Sequence, residues 1–439
     1  MGASKPTRVG LLILGLCLGG TAFAQSTGQT VRHHRIVEQD SSSPPELTQA
    51  ESAIEKHDYA SAEPLLKKVV AADPSNFQAW FDLGFVYNGM GNAAESISAY
   101  RKSVSAKPDV FESNLNLGLM LAKTGQPDAE QFLRAATTLK PTANAEEGRA
   151  SAWLSLALVL KTTKPDQAIE AYQQAAALEP KDPEPRLSAG SLLEKENRFA
   201  DAEQEYKRAL AIEPGSFDTL TAIASLYLRE QRFVDAEQIL DKMIAMHPED
   251  LSARLQLGRT LLILEKYDDA IADLLIAQKL DPGNSLVQHD LGHLYMQSKK
   301  YDQAEALYRS MVAAEPNNAQ LHHYLGVALL RQRKYADAQQ ELLIAVKLKP
   351  DFGEAYGDLA VAADENKAYA LAIKAADARA KFLPEIPVSY FLRASAYDHL
   401  RDYKMAAQNY HRFLELANGQ YPDQEWQARH RLIAIEPKK

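Results

Sequence analysis

The sequence predicts an all-α solenoid of about eleven stacked helix-turn-helix repeats, followed by a C-terminal capping helix. Three observations predict it. Proline recurs at a fixed interval, each interval carries two amphipathic helical stripes, and the repeating part fills residues 43–420 almost without remainder. Pro74 and Pro108 are 34 residues apart, and Pro180, Pro214, Pro248, Pro282, Pro316, Pro350 and Pro384 follow at the same interval. Pro141 sits one residue early. A fixed period of this length marks a repeat array rather than a set of separate globular domains.

In chain order, residues 1–24 read as a secretory signal peptide. Lys5 and Arg8 give a positive start, Val9–Leu18 an apolar run, and Ala22-Phe23-Ala24 a small-x-small cleavage site before Gln25. The run is too short to cross a bilayer, which takes about 20 apolar residues. Leu16 precedes Cys17, where lipid attachment in the bacterial manner resembles a small residue, so lipidation is not expected. Cleavage after Ala24 removes the chain's single cysteine and takes the net charge from −9 to −11. A thiol-free mature chain suits an oxidising compartment, so an exported protein, periplasmic or extracellular, is expected. No later apolar stretch reaches membrane length. Residues 25–42, including Arg32-His33-His34-Arg35, read as a polar, flexible lead-in.

Residues 77–110 show the content of one period. Trp80, Leu83, Gly84 and Tyr87 fall at i, i+3, i+4 and i+7, one face of a first helix. Gly89 to Gly91 break it, and Ile97, Tyr100 and Val104 form the stripe of a second helix that stops before Pro108. The pattern recurs as Leu257-Gly258, Leu261, Tyr267, Ala270, Pro282, and twice more from Leu291-Gly292 and Leu325-Gly326. The glycines (Gly84, Gly118, Gly190, Gly258, Gly292, Gly326) are expected to admit the second helix closely. Their expected counterparts are Ala202, Ala236, Ala270, Ala304 and Ala338, while Phe199, Phe233, Tyr267, Tyr301 and Tyr335 open the second helices. Trp80, Trp153, Tyr172, Tyr206, Tyr308 and Tyr410 fall at core positions of this frame.

These residues resemble the tetratricopeptide repeat (TPR), W-x₂-L-G-x₂-Y…A-x₃-F…P over 34 residues. Repeats start at 43, 77, 111, 150, 183, 217, 251, 285, 319, 353 and 387, and the span of 378 residues compares with 374 for eleven ideal ones. The excess comes from a polar insertion, Asn144–Arg149, less one residue in each of the third and fourth repeats. The insertion reads as tolerated length variation or a presented loop. The first repeat and the last two are degenerate, as terminal repeats usually are. Residues 421–435 read as a capping helix with Trp426, Leu432 and Ile433 turned inward, and 436–439 as a tail. The resemblance implies a right-handed superhelix with a concave groove.

No phosphate-binding glycine loop, nucleophile elbow or cysteine nucleophile accompanies the array. With 58 acidic against 49 basic residues, no overall basic excess favours nucleic acid. A non-enzymatic interaction scaffold with no cofactor is therefore expected, binding a protein or peptide segment in its groove. By resemblance, the second, fifth, sixth, ninth, twelfth and thirteenth positions of each first helix line that groove. They place Phe81, Phe85, Asn88, Asn116, Leu119 and Lys123 there, then Arg229, Gln256, Arg259, His289, Asp290, His293 and Gln297. His323, Tyr324, Val327 and Arg331 follow, and Asp358, Asp364 and Glu365 make the distal groove acidic. The Lys/Asn clamp by which some relatives hold acidic C-termini is matched only by Asn116, so that ligand is not expected.

Two competing functions attach to particular residues. His289 and His293 stand at i, i+4 and His323 one repeat on, a spacing that allows a metal-binding or hydrolytic site. The same imidazoles allow a pH-sensitive partner contact, and Leu291-Gly292 between them are simply repeat-frame residues. The aromatic proximal groove allows carbohydrate or peptidoglycan binding. The resemblance also implies service in a bacterial envelope assembly.

Overall fold

The structure is a computed structural model that describes residues 44–142 and 144–436. The leader expected at 1–24 with its cleavage site, the lead-in at 25–42 and the last three residues of the tail lie outside the described residues. Among the described residues there are 23 α-helices and no strand. None of these helices is long and apolar enough to cross a membrane.

The helices follow one another in pairs. They begin with α1 (Pro45–Glu55) and α2 (Tyr59–Ala72), α3 (Phe77–Gly89) and α4 (Ala93–Ala106), and α5 (Phe111–Lys123) and α6 (Ala129–Thr138). Next come α7 (Ala145–Leu160) and α8 (Pro165–Leu178), α9 (Glu184–Lys195) and α10 (Phe199–Ile212), and α11 (Phe217–Arg229) and α12 (Phe233–Met246). Then follow α13 (Leu251–Ile263) and α14 (Tyr267–Leu280), α15 (Ser285–Gln297) and α16 (Tyr301–Ala314), and α17 (Ala319–Arg331) and α18 (Tyr335–Leu348). The last are α19 (Gly353–Glu365) and α20 (Tyr369–Arg379), α21 (Pro387–His399) and α22 (Tyr403–Ala417), and the unpaired α23 (Pro422–Ile435). The chain forms two compact bodies, one up to Leu226 and one from Tyr227, the border falling inside α11. From α1 to α10 and from α12 to α23 each helix packs on its neighbours in sequence, so the cores are local and repeat-like.

Two devices set the period. The first is the turn inside each pair. His57, Asn197, Gln231, Glu265, Lys299, Arg333, Lys367 and Arg401 have φ of 58–63°, and Gly91 and Gly125 occupy the same place at 80° and 70°. Each ends a first helix as a left-handed cap. At Glu265, the Lys266 N–H returns to the Leu261 carbonyl at 2.9 Å and the Glu265 N–H to that of Leu262 at 3.1 Å. Those two bonds satisfy carbonyls that the helix end leaves open.

The second device explains the proline. Its carbonyl lies beyond the second helix and needs a donor. The fourth residue of the next first helix supplies one. Trp80 Nε1 donates to Pro74 O at 3.0 Å, Asn114 Nδ2 to Pro108 O at 2.8 Å and Arg254 Nε to Pro248 O at 2.8 Å. Gln288 Nε2 reaches Pro282 O at 2.8 Å and His322 Nε2 reaches Pro316 O at 3.0 Å. The position asks for a side-chain N–H rather than for tryptophan. Trp80 and Trp153 are accordingly only half-buried, whereas Tyr172, Tyr206, Tyr308 and Tyr410 lie in the core as expected.

The glycines do face the second helix, but the expected partner is corrected. A Cβ on Gly190 would stand 2.5 Å from the Tyr206 ring, one on Gly292 2.6 Å from that of Tyr308, and one on Gly326 2.6 Å from Leu342 Cγ. The glycine is a socket for a large residue four positions after the alanine. The alanines are fully buried beside it.

Two further expectations are corrected. The insertion Asn144–Arg149 is no loop: Asn144 is a left-handed N-cap and 145–149 are the opening of α7. Glu146 and Glu147 favour that helix start, and a Cβ on Gly148 would meet Pro141 at 2.9 Å. In α23, Leu432 and Ala428 are buried, but Trp426 is 61 % and Ile433 68 % exposed. Counted from the 34-residue frame, α23 is the first helix of another repeat, and 426 and 433 are its sixth and thirteenth positions. Those are positions that the resemblance assigns to the groove, in keeping with the exposure of the two apolar side chains.

Candidate functional site

The site develops along the first helices of the second body, where the repeat spacing brings certain side chains together. The ninth residue of one first helix and the fifth of another reach the sixth residue of the next. Arg259 Nε donates to Asp290 Oδ2 at 2.7 Å, from α13 to α15. His323 Nε2 bonds Asp358 Oδ2 at 2.7 Å, from α17 to α19. Between these, the His289 ring meets Tyr324 edge-on at 6.2 Å, from α15 to α17. The three contacts form a polar and aromatic ladder across four successive first helices.

Burial pushes the Asp290 carboxyl above the ordinary aspartate range, and the Arg259 guanidinium draws it partly back. The pair is half-exposed, so it orients the two helices more than it stabilises them. Gln256 approaches Ser252 Oγ at 3.4 Å on its own helix, and Gln297 Nε2 donates to His293 Nε2 at 3.3 Å. Arg331 is exposed and has no ion-pair partner among the described residues. Val327 is half-buried between these polar positions, and Arg229 is exposed at the end of α11.

The structure separates the three histidines expected as candidate metal ligands. His323 is turned to Asp358 and packs on Phe352, at 4.8 Å between rings, while His289 packs on Tyr324 and His293 on Gln297. Among the described residues no three His, Cys, Asp or Glu side chains gather where a metal ion could sit. Neighbouring His322 is buried, bonded to Glu341 Oε2 at 2.6 Å and to the Pro316 carbonyl, and is therefore part of the repeat frame.

In the first body the expected groove positions are less accessible. Asn116 is fully buried and Phe81 nearly so, packed on Tyr100 at 5.6 Å. Asn116 lies on α5, most of whose residues are buried. Glu112 on that helix accepts from the Thr142 N–H and hydroxyl at 2.7 and 2.8 Å, which ties Thr142 to α5. Phe85 and Asn88 are half-buried, Leu119 half-buried and Lys123 exposed.

One set of residues escaped the sequence. Trp426, His430 and Arg431 of α23 face Phe391, Asp398 and His399 of α21 across a cleft of ≈ 520 Å³. Placing α23 in the 34-residue frame, rather than reading it as a cap, is the signal that finds them.

Comparison with known proteins agrees with the helix pairs. A family model described as the C-terminal domain of cilia and flagella-associated protein 70 matches residues 46–286. Tetratricopeptide-repeat models match 261–325, 295–359 and 387–420. No curated protein matches the chain. Among solved structures, the C-terminal part of a TPR repeat-containing protein from Cytophaga hutchinsonii is similar at 16% identity over 56% of this chain and 99% of its own, with a TM-score of 0.48. YrrB, a TPR protein with an unusual peptide-binding site, is similar at 20% identity over 43% of this chain and 96% of its own, TM-score 0.37. MamA is similar at 27% identity over 38% of this chain and 94% of its own, TM-score 0.34.

Proposed function

The chain belongs to the tetratricopeptide-repeat family, whose members serve as protein-interaction scaffolds, and we propose that it is a non-enzymatic scaffold holding a segment of one partner protein along its first helices. The observation that carries this is the ladder Arg259–Asp290, His289–Tyr324, His323–Asp358. Cross-repeat contacts hold these groups in place before any ligand arrives, so a segment bound there orders little that is not ordered already. Arg331 and the exposed Gln297 and Glu365 then offer charge and hydrogen bonds along one strip.

We propose further that the scaffold works outside the cytoplasm in a bacterial envelope assembly, on the strength of the leader features in residues 1–24. Mass spectrometry of the mature N-terminus checks this: a chain starting at Gln25 is expected, and an intact leader in the fractionated protein would count against export.

The scaffold function is tested by site-specific photo-crosslinking in cells. A benzoylphenylalanine at 297 is expected to trap one defined partner segment, and the same group at Lys347, on the second helix α18, to trap none. Arg259→Glu and Tyr324→Ala should each abolish the 297 adduct. Equal trapping at 347, or an adduct indifferent to both changes, sinks the proposal.

A further inference from the structure

We propose that the cleft between α21, α22 and α23 takes the guanidinium of an arginine carried by the partner segment. This rests on the scaffold function above and names the ligand chemistry at one stretch of the groove. The groove positions of α21 continue onto α23, which begins 35 residues after it. Phe391 and Tyr410 line the cleft, Tyr410 with only 4 % of its surface exposed, and Trp426 supplies an indole that is 61 % exposed, with the His430 ring against it at 4.0 Å. Such rings attract a cation over their faces, and the planar guanidinium stacks on them better than an ammonium does.

Two imidazoles of the cleft can present acceptors to it. His399 Nδ1 bonds the Ser395 carbonyl at 2.8 Å and His430 Nδ1 bonds the Trp426 carbonyl at 2.9 Å. A carbonyl only accepts, so each ring carries a proton on Nδ1, and in the Nδ1–H tautomer Nε2 is an acceptor. Arg431 is the cationic donor in the wall, and it is committed: its Nε and Nη2 donate to the two oxygens of Asp398, both at 2.6 Å. Next to the lining, Asp364 has one carboxylate oxygen sealed from solvent with no hydrogen-bond partner. Its charge is felt by both His399 and Tyr410, which line the cleft. The exposed Trp426 indole, the two imidazole Nε2 atoms and the negative charge of Asp364 behind the lining call for a flat cation with several N–H groups. An arginine side chain supplies five.

The test uses the full chain labelled with ¹⁵N at tryptophan. It has three indoles, Trp80, Trp153 and Trp426, so Trp426→Phe assigns the signal of interest. N-acetyl-arginine N-methylamide is expected to move the Trp426 signal saturably and to leave the other two in place. The citrulline analogue, equal in shape but uncharged, should bind about tenfold more weakly, the scale of one cation–π contact. Asp364→Asn should weaken arginine binding in the same direction while the fold is retained. A Trp426 signal unmoved by arginine, or citrulline binding as tightly, overturns the proposal. The two functions fail separately. A segment trapped at 297 whose binding leaves Trp426 unmoved removes the arginine cleft alone. A saturable response to arginine with nothing trapped at 297 removes the scaffold and leaves the cleft.

Discussion

Asp364→Asn should stabilise this protein at neutral pH and lose that benefit in acid. Burial on α19 raises the Asp364 carboxyl from 3.8 to about 6, with Glu365 adding to the rise and His399 opposing it. In the unfolded chain the same carboxyl ionises near its ordinary value. Between about pH 4 and pH 6 the folded protein therefore holds a proton that the unfolded chain has released, so stability falls as pH rises through that window and is level above it. A tenfold change in proton affinity is worth about 1.4 kcal/mol, so this rise would cost roughly 3 kcal/mol for a fully desolvated group. The side chain is only half-buried, and solvent screening brings the expectation to about 1 kcal/mol. Thermal melts followed by circular dichroism at pH 7.5 and pH 4.5 read the difference. The variant should melt above wild type at pH 7.5, and the gap should shrink at pH 4.5. A gap of the same size at both pH values would refute the assignment of an ionised, unsatisfied carboxylate. Saturating capped arginine at pH 7.5 should raise the wild-type midpoint more than the variant's, because the variant lacks the Asp364 charge beside the cleft.

Three further outcomes follow from the repeat frame. Glu265→Gly and Arg333→Gly should each raise stability by about 0.5 kcal/mol, because φ of 58° and 61° strains a side chain more than the added unfolded-state freedom of glycine costs; an unchanged or lower urea midpoint counts against the cap geometry. Gly292→Ala should lower stability by about 1–3 kcal/mol, since its Cβ would meet the Tyr308 ring at 2.6 Å; the paired change Gly292→Ala with Tyr308→Leu should recover part of the loss, and no recovery would place the clash elsewhere. Gln288→Leu removes an exposed hydrogen bond to the Pro282 carbonyl and should cost about 0.5 kcal/mol, whereas Gln288→Arg should be nearly neutral, as Arg254 does the same work one repeat earlier. Hydrogen exchange of the α15 amides distinguishes the two.

What was legible in the sequence divides along physical lines. Helix pairs, their starts at 77, 111, 217, 251, 285, 319, 353 and 387 and the buried alanines all follow from apolar spacing and helix-breaking residues, which are local properties. The left-handed caps were less visible because only Gly91 and Gly125 advertise a positive φ, while Glu265, Lys299 and Arg333 adopt it under pressure from the packed pair around them. The proline-carbonyl lock was hidden for a similar reason. Trp80, Asn114, Arg254, Gln288 and His322 share no composition, only an N–H at the fourth position.

The candidate site illustrates the harder case. His289, His293 and His323 are near one another in the repeat frame, and helical spacing alone allowed them to share a ligand. Register decides otherwise. A fifth-position side chain on one first helix meets the sixth position of the next, 35 residues on, so His323 is drawn to Asp358 and His289 to Tyr324. A ninth-position side chain meets the same sixth position from 31 residues away, which pairs Arg259 with Asp290. Applied from α21 to α23, the same two offsets send Phe391 toward Trp426 and Ser395 toward Trp426 as well. All three line the one cleft. The offsets 31 and 35 thus account for the ladder and for the cleft together. Exchanging Asp290 and Arg259 in a double variant should keep the pair and the groove intact, whereas Arg259→Asp alone should open α13 from α15; a single variant with unchanged α13 hydrogen exchange would show that the offset does not govern the ladder.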